Sequence, residues 1–168
     1  MPKKLNSSIL PDDVIQKMNV SIEFSKSNNI EVGFNLCTEN SNKQLHDEAH
    51  CSGAECSVDI PKGCNRGQQV GLFHTHPAGN SKPSIQDIAN AYQIGANCIG
   101  STEGIKCYLR KDNLPSRKGL ETIISALIIY ESPLHKSKNR EEFIKSFERW
   151  TNIRNDLRKQ FLNTIDIQ

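Results

Sequence analysis

Residues 70–77 read VGLFHTHP and, after six further residues, residues 84–87 read SIQD. The apolar run that begins this stretch predicts a buried β-strand ending at the proline. The second motif opens a predicted helix, residues 84–94, which a glycine closes. Since strand side chains alternate between faces, His74 and His76 point the same way.

The two histidines and the helix suggest a metal site. Asp87 lies eleven residues after His76 and can fold back toward both imidazoles. Two neutral imidazoles and one carboxylate are a catalytic zinc set, with the fourth position left to water. Ser84 and Asp87 also match a helix capping box, in which each side chain bonds the backbone N–H of the other residue. Both interpretations stay open, because Ser84 can begin the helix and still face the metal.

Glu31 is the candidate general base that a metal-activated water would need. It opens the predicted strand at residues 30–38, IEVGFNLCT, where a glutamate is unfavourable. The structural alternative is an exposed carboxylate on an edge strand. Glu23, Glu48 and Glu55 lie in polar or helical contexts and are weaker candidates.

The remaining pattern predicts further helices and strands. Hydrophobic periodicity predicts helices at about residues 12–28, 118–131 and 141–164, and strands at 56–60, 97–100 and 105–110. The last two strands form a hairpin. An apolar stripe follows the last helix and comprises Phe143, Phe147, Trp150, Ile153, Leu157 and Phe161.

Bulk properties narrow the class of protein. The 168 residues favour one domain, and 21 basic against 19 acidic residues give a net charge of +2. This balance argues against nucleic-acid binding as the main function. No apolar run approaches the roughly 18–20 residues that cross a bilayer, and the polar N-terminal residues do not resemble a signal peptide. We therefore expect a cytoplasmic protein without membrane contact.

One group of cysteines has two interpretations. Cys51, Cys56 and Cys64, with His46 and His50 nearby, could form a second metal site. Their spacing fits no zinc-finger pattern, which favours a disulfide between two of the three.

The other cysteines lie on predicted strands. Cys98 and Cys107 face each other if the hairpin register holds, and they could form a disulfide instead. Cys37 lies within the strand of residues 30–38 and is expected to be a core thiol. No cysteine neighbours the histidine pair in a way that would suggest a catalytic nucleophile.

These motifs together resemble the JAMM metalloproteases, also called the MPN+ or Mov34 domain. The pattern is a glutamate on an early strand, His-x-His-Pro, six residues and Ser-x-x-Asp. Here it reads Glu31, then HTHP at residues 74–77, then SIQD at residues 84–87. The chain is most similar to the small archaeal and bacterial members, loosely over residues 11–110. The resemblance implies a cytidine-deaminase-like α/β fold, with a curved mixed sheet flanked by helices.

The resemblance also implies an activity. The family's zinc isopeptidases cleave the bond between the C-terminus of ubiquitin or a ubiquitin-like modifier and a target amine. By this resemblance one zinc ion would be bound by His74, His76 and Asp87. Glu31 would act as the general base, and Ser84 would donate a hydrogen bond to the developing oxyanion.

The resemblance divides the chain and limits its substrate. Residues 1–112 would form the JAMM/MPN+ metalloprotease domain. Residues 113–168 would form a C-terminal helical extension, packed on the domain or used for homodimer or partner contact. Only seven residues separate Asp87 from Gly95, which leaves no room for the ubiquitin-gripping insertion of eukaryotic members. Conjugates of another ubiquitin-like modifier, or a looser specificity, are implied.

Two alternatives come from other functional classes. One is a non-catalytic MPN scaffold that binds a partner, although intact metal-binding residues argue against it. The other is a RadC-like metal-binding protein, whose metal loop is similar to residues 74–87. A helix-hairpin-helix DNA-binding segment before the metal domain would favour the second alternative, and none is found in this sequence.

Overall fold

A mixed sheet flanked by helices organises the chain. The computed structural model describes residues 10–39, 45–54, 58–111 and 115–167. The helices are α1 (Asp12–Asn28), α2 (Ile85–Ile94), α3 (Arg117–Ala126), α4 (Ser132–His135) and α5 (Arg140–Phe161), with a π-helical turn at Leu127–Glu131. The strands are β1 (Val32–Thr38), β2 (Leu45–Ser52), β3 (Gln68–Thr75), β4 (Ala96–Ser101), β5 (Gly104–Arg110) and β6 (Leu162–Ile167).

Within the described residues the sheet has six strands in the order β2-β1-β3-β4-β5-β6. Only the β3–β4 pair is parallel among these strands, and α2 forms the crossover that such a pair requires. The mixed α/β class predicted from the sequence is therefore confirmed. The crossover also places the start of α2 just beyond the end of β3, where the two histidines lie.

Each face of the sheet has its own core. On one face α1 buries Val14, Met18 and Ile22 against the sheet residues Phe34 and Phe73. On the other face the core is formed by α2, α3 and α5 together with residues of β4, β5 and β6. The molecule is thus a three-layer α/β/α structure.

Local sequence patterns predicted much of this fold correctly. The predicted helices of α1 and α2, the strands β1 and β3, and the β4–β5 hairpin are confirmed. The strand predicted over residues 56–60 is wrong for residues 58–60, which are irregular, and its first two residues lie outside the described ranges. The strand that follows β1 in the chain is instead β2. The sequence did not predict it because it is a polar edge strand, LHDEAHCS, with one buried residue.

The C-terminal part differs from its predicted outline. The helix predicted to stop before Pro133 continues through the π-helical turn into α4, where Pro133 occupies the first turn and needs no N–H partner. The last helix ends at Phe161 and not at Thr164. The residues after it form β6, which pairs antiparallel with β5. The predicted apolar stripe is packed only toward its C-terminal end, where Leu157 is buried.

Two disulfides are formed among the described cysteines. Cys98 and Cys107 lie opposite each other in the hairpin and are bridged, as predicted. The second bridge joins Cys64 to Cys37, so Cys37 is buried as expected but is not a free thiol. Cys51 is free, and Cys56 lies outside the described residues.

Several large apolar side chains remain exposed near the C-terminal helices. They are Ile128 and Ile129 on the π-helical turn, and Phe143, Ile144 and Phe147 on α5. None of the helices in the described ranges has the length and apolarity needed to span a membrane.

Truncating the buried and exposed ends of the α5 stripe should have unequal effects. Leu157 is 5% exposed, and Leu157→Ala should lower the free energy of unfolding by about 2–5 kcal/mol because it leaves a cavity. Phe143 is 44% exposed, and Phe143→Ala should change the free energy of unfolding by only about 0.5 kcal/mol. Urea unfolding of both variants tests this. Equal small effects would mean that α5 is not part of the core.

Candidate metal centre

The pairing of β1 with β3 brings the predicted base and the predicted ligands together. Gly33 lies opposite His74 in this antiparallel pair. Continuing the register by two residues sets Glu31 opposite His76, and all three functional side chains share one face of the sheet. Gly33 permits the close approach, because a Cβ there would lie 2.5 Å from the carbonyl oxygen of Phe73 and 3.2 Å from the Cβ of His74.

The hydrogen bond of His76 determines which of its ring nitrogens carries the proton. Its Nδ1 lies 2.8 Å from the carbonyl oxygen of Asn80, which can only accept. Nδ1–H is therefore the donor, and the lone pair is on Nε2. This nitrogen lies 3.2 Å from Nε2 of His74.

Asn97 orients His74 in the same way. The amide nitrogen of Asn97 donates to the carbonyl oxygen of Asp87 at 3.2 Å, which turns its amide oxygen toward His74. That oxygen accepts the Nδ1–H of His74 at 3.1 Å and leaves its Nε2 unprotonated. Holding an imidazole by its second nitrogen is how proteins orient metal-binding histidines. Asn97 is buried and was not singled out from the sequence.

Asp87 contacts both imidazoles. Its carboxylate oxygens lie 3.3 Å from Nε2 of His74 and 3.5 Å from Nε2 of His76. Burial alone would raise the pKa of Asp87, but the charges and hydrogen bonds of the two histidines lower it below its usual range. Burial likewise opposes protonation of His74, yet the Asp87 charge raises the pKa of that imidazole. Asp87 and His74 therefore each favour the charged form of the other.

The capping box is also formed. The Ser84 N–H donates to an Asp87 carboxylate oxygen at 3.0 Å, and the Asp87 N–H donates to Ser84 Oγ at 3.1 Å. Ser84 accepts through its oxygen, so its hydroxyl proton is available to a group in the adjoining cleft. The two interpretations of this motif are compatible, because one geometry serves both.

Glu31 is buried, which rules out the exposed edge-strand alternative. Its side chain is 7% exposed, and ligand atoms of Glu31, His74 and His76 all lie within 4.8 Å of one another. Just before β1, the N–H of Glu31 donates to the carbonyl oxygen of Ala54, and the carbonyl oxygen of Glu31 accepts the N–H of Gly53. Burial raises the pKa of the Glu31 carboxyl, although the charges of the two histidines oppose this.

Either carboxylate could be the third metal ligand by position alone. Burial would raise the pKa of Asp87, but the two histidines lower it, which favours the ionised form of its carboxyl. Burial raises the pKa of Glu31, which favours proton uptake by its carboxyl. The donor set fits zinc, with two imidazole nitrogens and one carboxylate oxygen converging.

Sequence analysis did not identify Glu131, a buried carboxylate from the C-terminal part of the chain. One of its oxygens accepts the backbone N–H of Ile85 at 2.7 Å and the indole N–H of Trp150 at 2.9 Å. The other accepts the N–H of Gln86 at 3.1 Å. Glu131 thus binds the positive N-terminal end of α2, the helix that carries Asp87. The π-helical turn ends at Glu131.

The site opens into one cleft. It has a volume of about 650 Å³ and is lined by residues from both parts of the chain, including Glu31, His74, Asp87, Glu131 and Trp150. Residues 58–62, before β3, form part of its wall. This size and mixed polarity are typical of a binding site.

Comparisons with known proteins leave the family undetermined. No model of a known protein family matches the chain, and no curated protein matches it either. The interpretation of the site therefore depends on its residues and their geometry.

Glu131→Gln should destabilise the start of α2. The amide keeps one acceptor oxygen, but its NH₂ group faces the N–H groups of Ile85, Gln86 and Trp150, which are also donors. The free energy of unfolding should therefore fall by about 1–3 kcal/mol. Urea unfolding of the metal-free protein tests this. Glu148→Gln, at an exposed position of α5, is the matched control. Equal stabilities would show that Glu131 does not hold α2.

Proposed function

We propose that this chain is a zinc-dependent isopeptidase of the JAMM type, acting on conjugates of a ubiquitin-like modifier. The observation that carries the proposal is the convergence of Glu31, His74, His76 and Asp87 at the end of β3. The Nε2 atoms of the two histidines lie 3.2 Å apart, and the Nδ1 atoms are engaged by Asn97 and by the carbonyl oxygen of Asn80. A JAMM/MPN fold of the cytidine-deaminase-like kind is part of the proposal, supported by the mixed sheet between helices.

The chain's own residues would divide the reaction among them. His74, His76 and Asp87 hold the ion, which when bound lowers the pKa of water toward about 7 and polarises the scissile carbonyl. Glu31 accepts the proton of the attacking water and delivers it to the leaving amine. Ser84 donates its hydroxyl proton in a hydrogen bond to the carbonyl oxygen as negative charge develops there.

The cleft supports an extended peptide as the substrate segment. A volume of about 650 Å³ accommodates a few residues of an extended chain and not a folded protein. The modifier would place its C-terminal tail in the cleft and its folded part outside. Leu72, Leu134 and Trp150 offer apolar contact along the walls.

Location in the cytoplasm remains a prediction. Stable disulfides are uncommon in cytosolic proteins, with hyperthermophiles as an exception. The bridges at Cys37–Cys64 and Cys98–Cys107 therefore point to an oxidising compartment or to a hyperthermophilic source.

Substituting Asp87 separates metal binding from helix capping. Asp87→Asn keeps an oxygen for the Ser84 N–H bond but removes the charge. We expect zinc, about one ion per chain in the wild type, to be lost from this variant and from His76→Ala. Elemental analysis after dialysis measures the zinc content per chain. Full zinc in Asp87→Asn would limit Asp87 to capping and make Glu31 the third ligand.

Glu31→Gln should keep zinc and lose hydrolysis. A positioned general base contributes about 10²–10⁴-fold to the rate, so turnover should fall by that factor. The substrate is a panel of ubiquitin-like modifiers carrying a C-terminal fluorogenic amide. Glu23→Gln, at an exposed position of α1, is the control.

The outcome of this assay also discriminates between the functional classes. Full activity in Glu31→Gln would exclude Glu31 as the base. A zinc-loaded wild type that cleaves no modifier would favour the partner-binding scaffold or the RadC-like alternative.

A further inference from the structure

A second group of metal-binding side chains lies at the other end of β1. Cys37 is on β1, Glu48 is on the neighbouring β2, and Cys64 is on the loop that leads to β3. Two sulfur atoms and a carboxylate oxygen of these residues all lie within 4.8 Å of one another. The two cysteines are joined as a disulfide. This group differs from the cysteine set considered from the sequence, since it uses Cys37 in place of Cys51 and Cys56.

Hydrogen bonds hold the loop that carries Cys64 in addition to the disulfide. The side-chain amide of Asn35 donates to the carbonyl oxygens of Pro61 at 2.6 Å and Gly63 at 2.9 Å. The Gly63 N–H donates to Oε1 of Gln69 at 2.8 Å. Asn35 and Gln69 are themselves joined by a 2.9 Å hydrogen bond. Breaking the sulfur–sulfur bond would therefore leave the loop near β1.

Glu48 adds a second set of attachments to the same loop. Its carboxylate accepts the N–H of Asn65 at 2.7 Å and the N–H of Arg66 at 3.1 Å. Nε2 of His46 lies 2.7 Å from the same carboxylate. These contacts fix the carboxylate beside the two sulfur atoms, as supporting hydrogen bonds do for metal-binding carboxylates.

We propose that the reduced form of this cluster binds zinc through Cys37, Cys64 and Glu48, as a site separate from the histidine centre. A dithiol reductant cleaves the disulfide, and the reductant becomes oxidised while both cysteines become thiols. Zinc then displaces the two thiol protons and binds two thiolates and one carboxylate. Thiolate sulfur favours zinc over magnesium or calcium, and His46 keeps the carboxylate oriented. The disulfide and the metal are alternative links between the same two strands and loop.

The first test measures zinc in a chain whose histidine centre is disabled. His76→Ala is equilibrated with zinc in its oxidised form and, separately, after anaerobic reduction with a phosphine. We expect about one zinc per chain in the reduced form and none in the oxidised form, by elemental analysis. Reduced His76→Ala that binds no zinc would overturn the proposal. The proposed peptidase function is unaffected by either result, because it depends on the other centre.

Variants assign the ligands. In the His76→Ala background, adding Cys37→Ser or Glu48→Ala should abolish or weaken zinc binding, whereas Cys98→Ser should not, because Cys98 lies in the core beneath α1. Zinc that survives Cys37→Ser, or that is lost with Cys98→Ser alone, would contradict the assignment.

Cobalt provides a readout that does not require any histidine variant. Reduced wild type loaded with Co²⁺ should show an intense near-ultraviolet thiolate-to-cobalt absorption, since the cluster has two sulfur ligands and the histidine centre has none. Oxidised wild type should lack this band. A reduced protein that binds cobalt without the band would overturn the proposal even if His76→Ala failed to fold.

Discussion

The antiparallel pairing of β1 with β3 is the constraint on which the candidate centre depends. It sets Gly33 beside His74 and brings the preceding Glu31 next to the histidine pair. The glycine allows the strands to lie this close, because any side chain there would collide with the backbone of β3. A shift by one residue would turn Glu31 to the opposite face of the sheet. Backbone pairing thus places Glu31 beside the histidine pair, and Asn97 and the carbonyl oxygen of Asn80 orient the two imidazoles.

The position of Asp87, the proposed third ligand, depends on a different constraint. Asp87 is on α2, and α2 is held both by its own capping box and by Glu131 from the C-terminal part of the chain. Trp150 of α5 donates to the same Glu131 carboxylate, so the C-terminal part of the chain contributes to the cleft wall and to the position of Asp87. The cleft therefore includes residues on both sides of the domain boundary that the sequence predicts near residue 112.

The sequence predicted those features that neighbouring residues determine. Alternation placed His74 and His76 on one face, and periodicity with capping residues outlined α2. Features that depend on distant partners were missed. Glu131 accepts hydrogen bonds from residues 45 and 46 positions earlier in the chain, and nothing in the apolar sequence around it signals this. The strand β6 was read as the end of a helix, since pairing with β5 outweighs its local preference.

The same physical reasoning explains why the cysteines were only partly predicted. The Cys98–Cys107 bridge follows from a tight hairpin, whereas Cys37 meets Cys64 only because a loop folds back over β1. Residues 58–62, which precede Cys64 in the chain, line the cleft beside the histidine centre. The Cys37–Cys64 bridge and the hydrogen bonds of Asn35 and Glu48 attach this loop to the sheet at several points, which holds one wall of the cleft. Because the hydrogen bonds do not involve the sulfur atoms, the wall would keep its place when the bridge is opened.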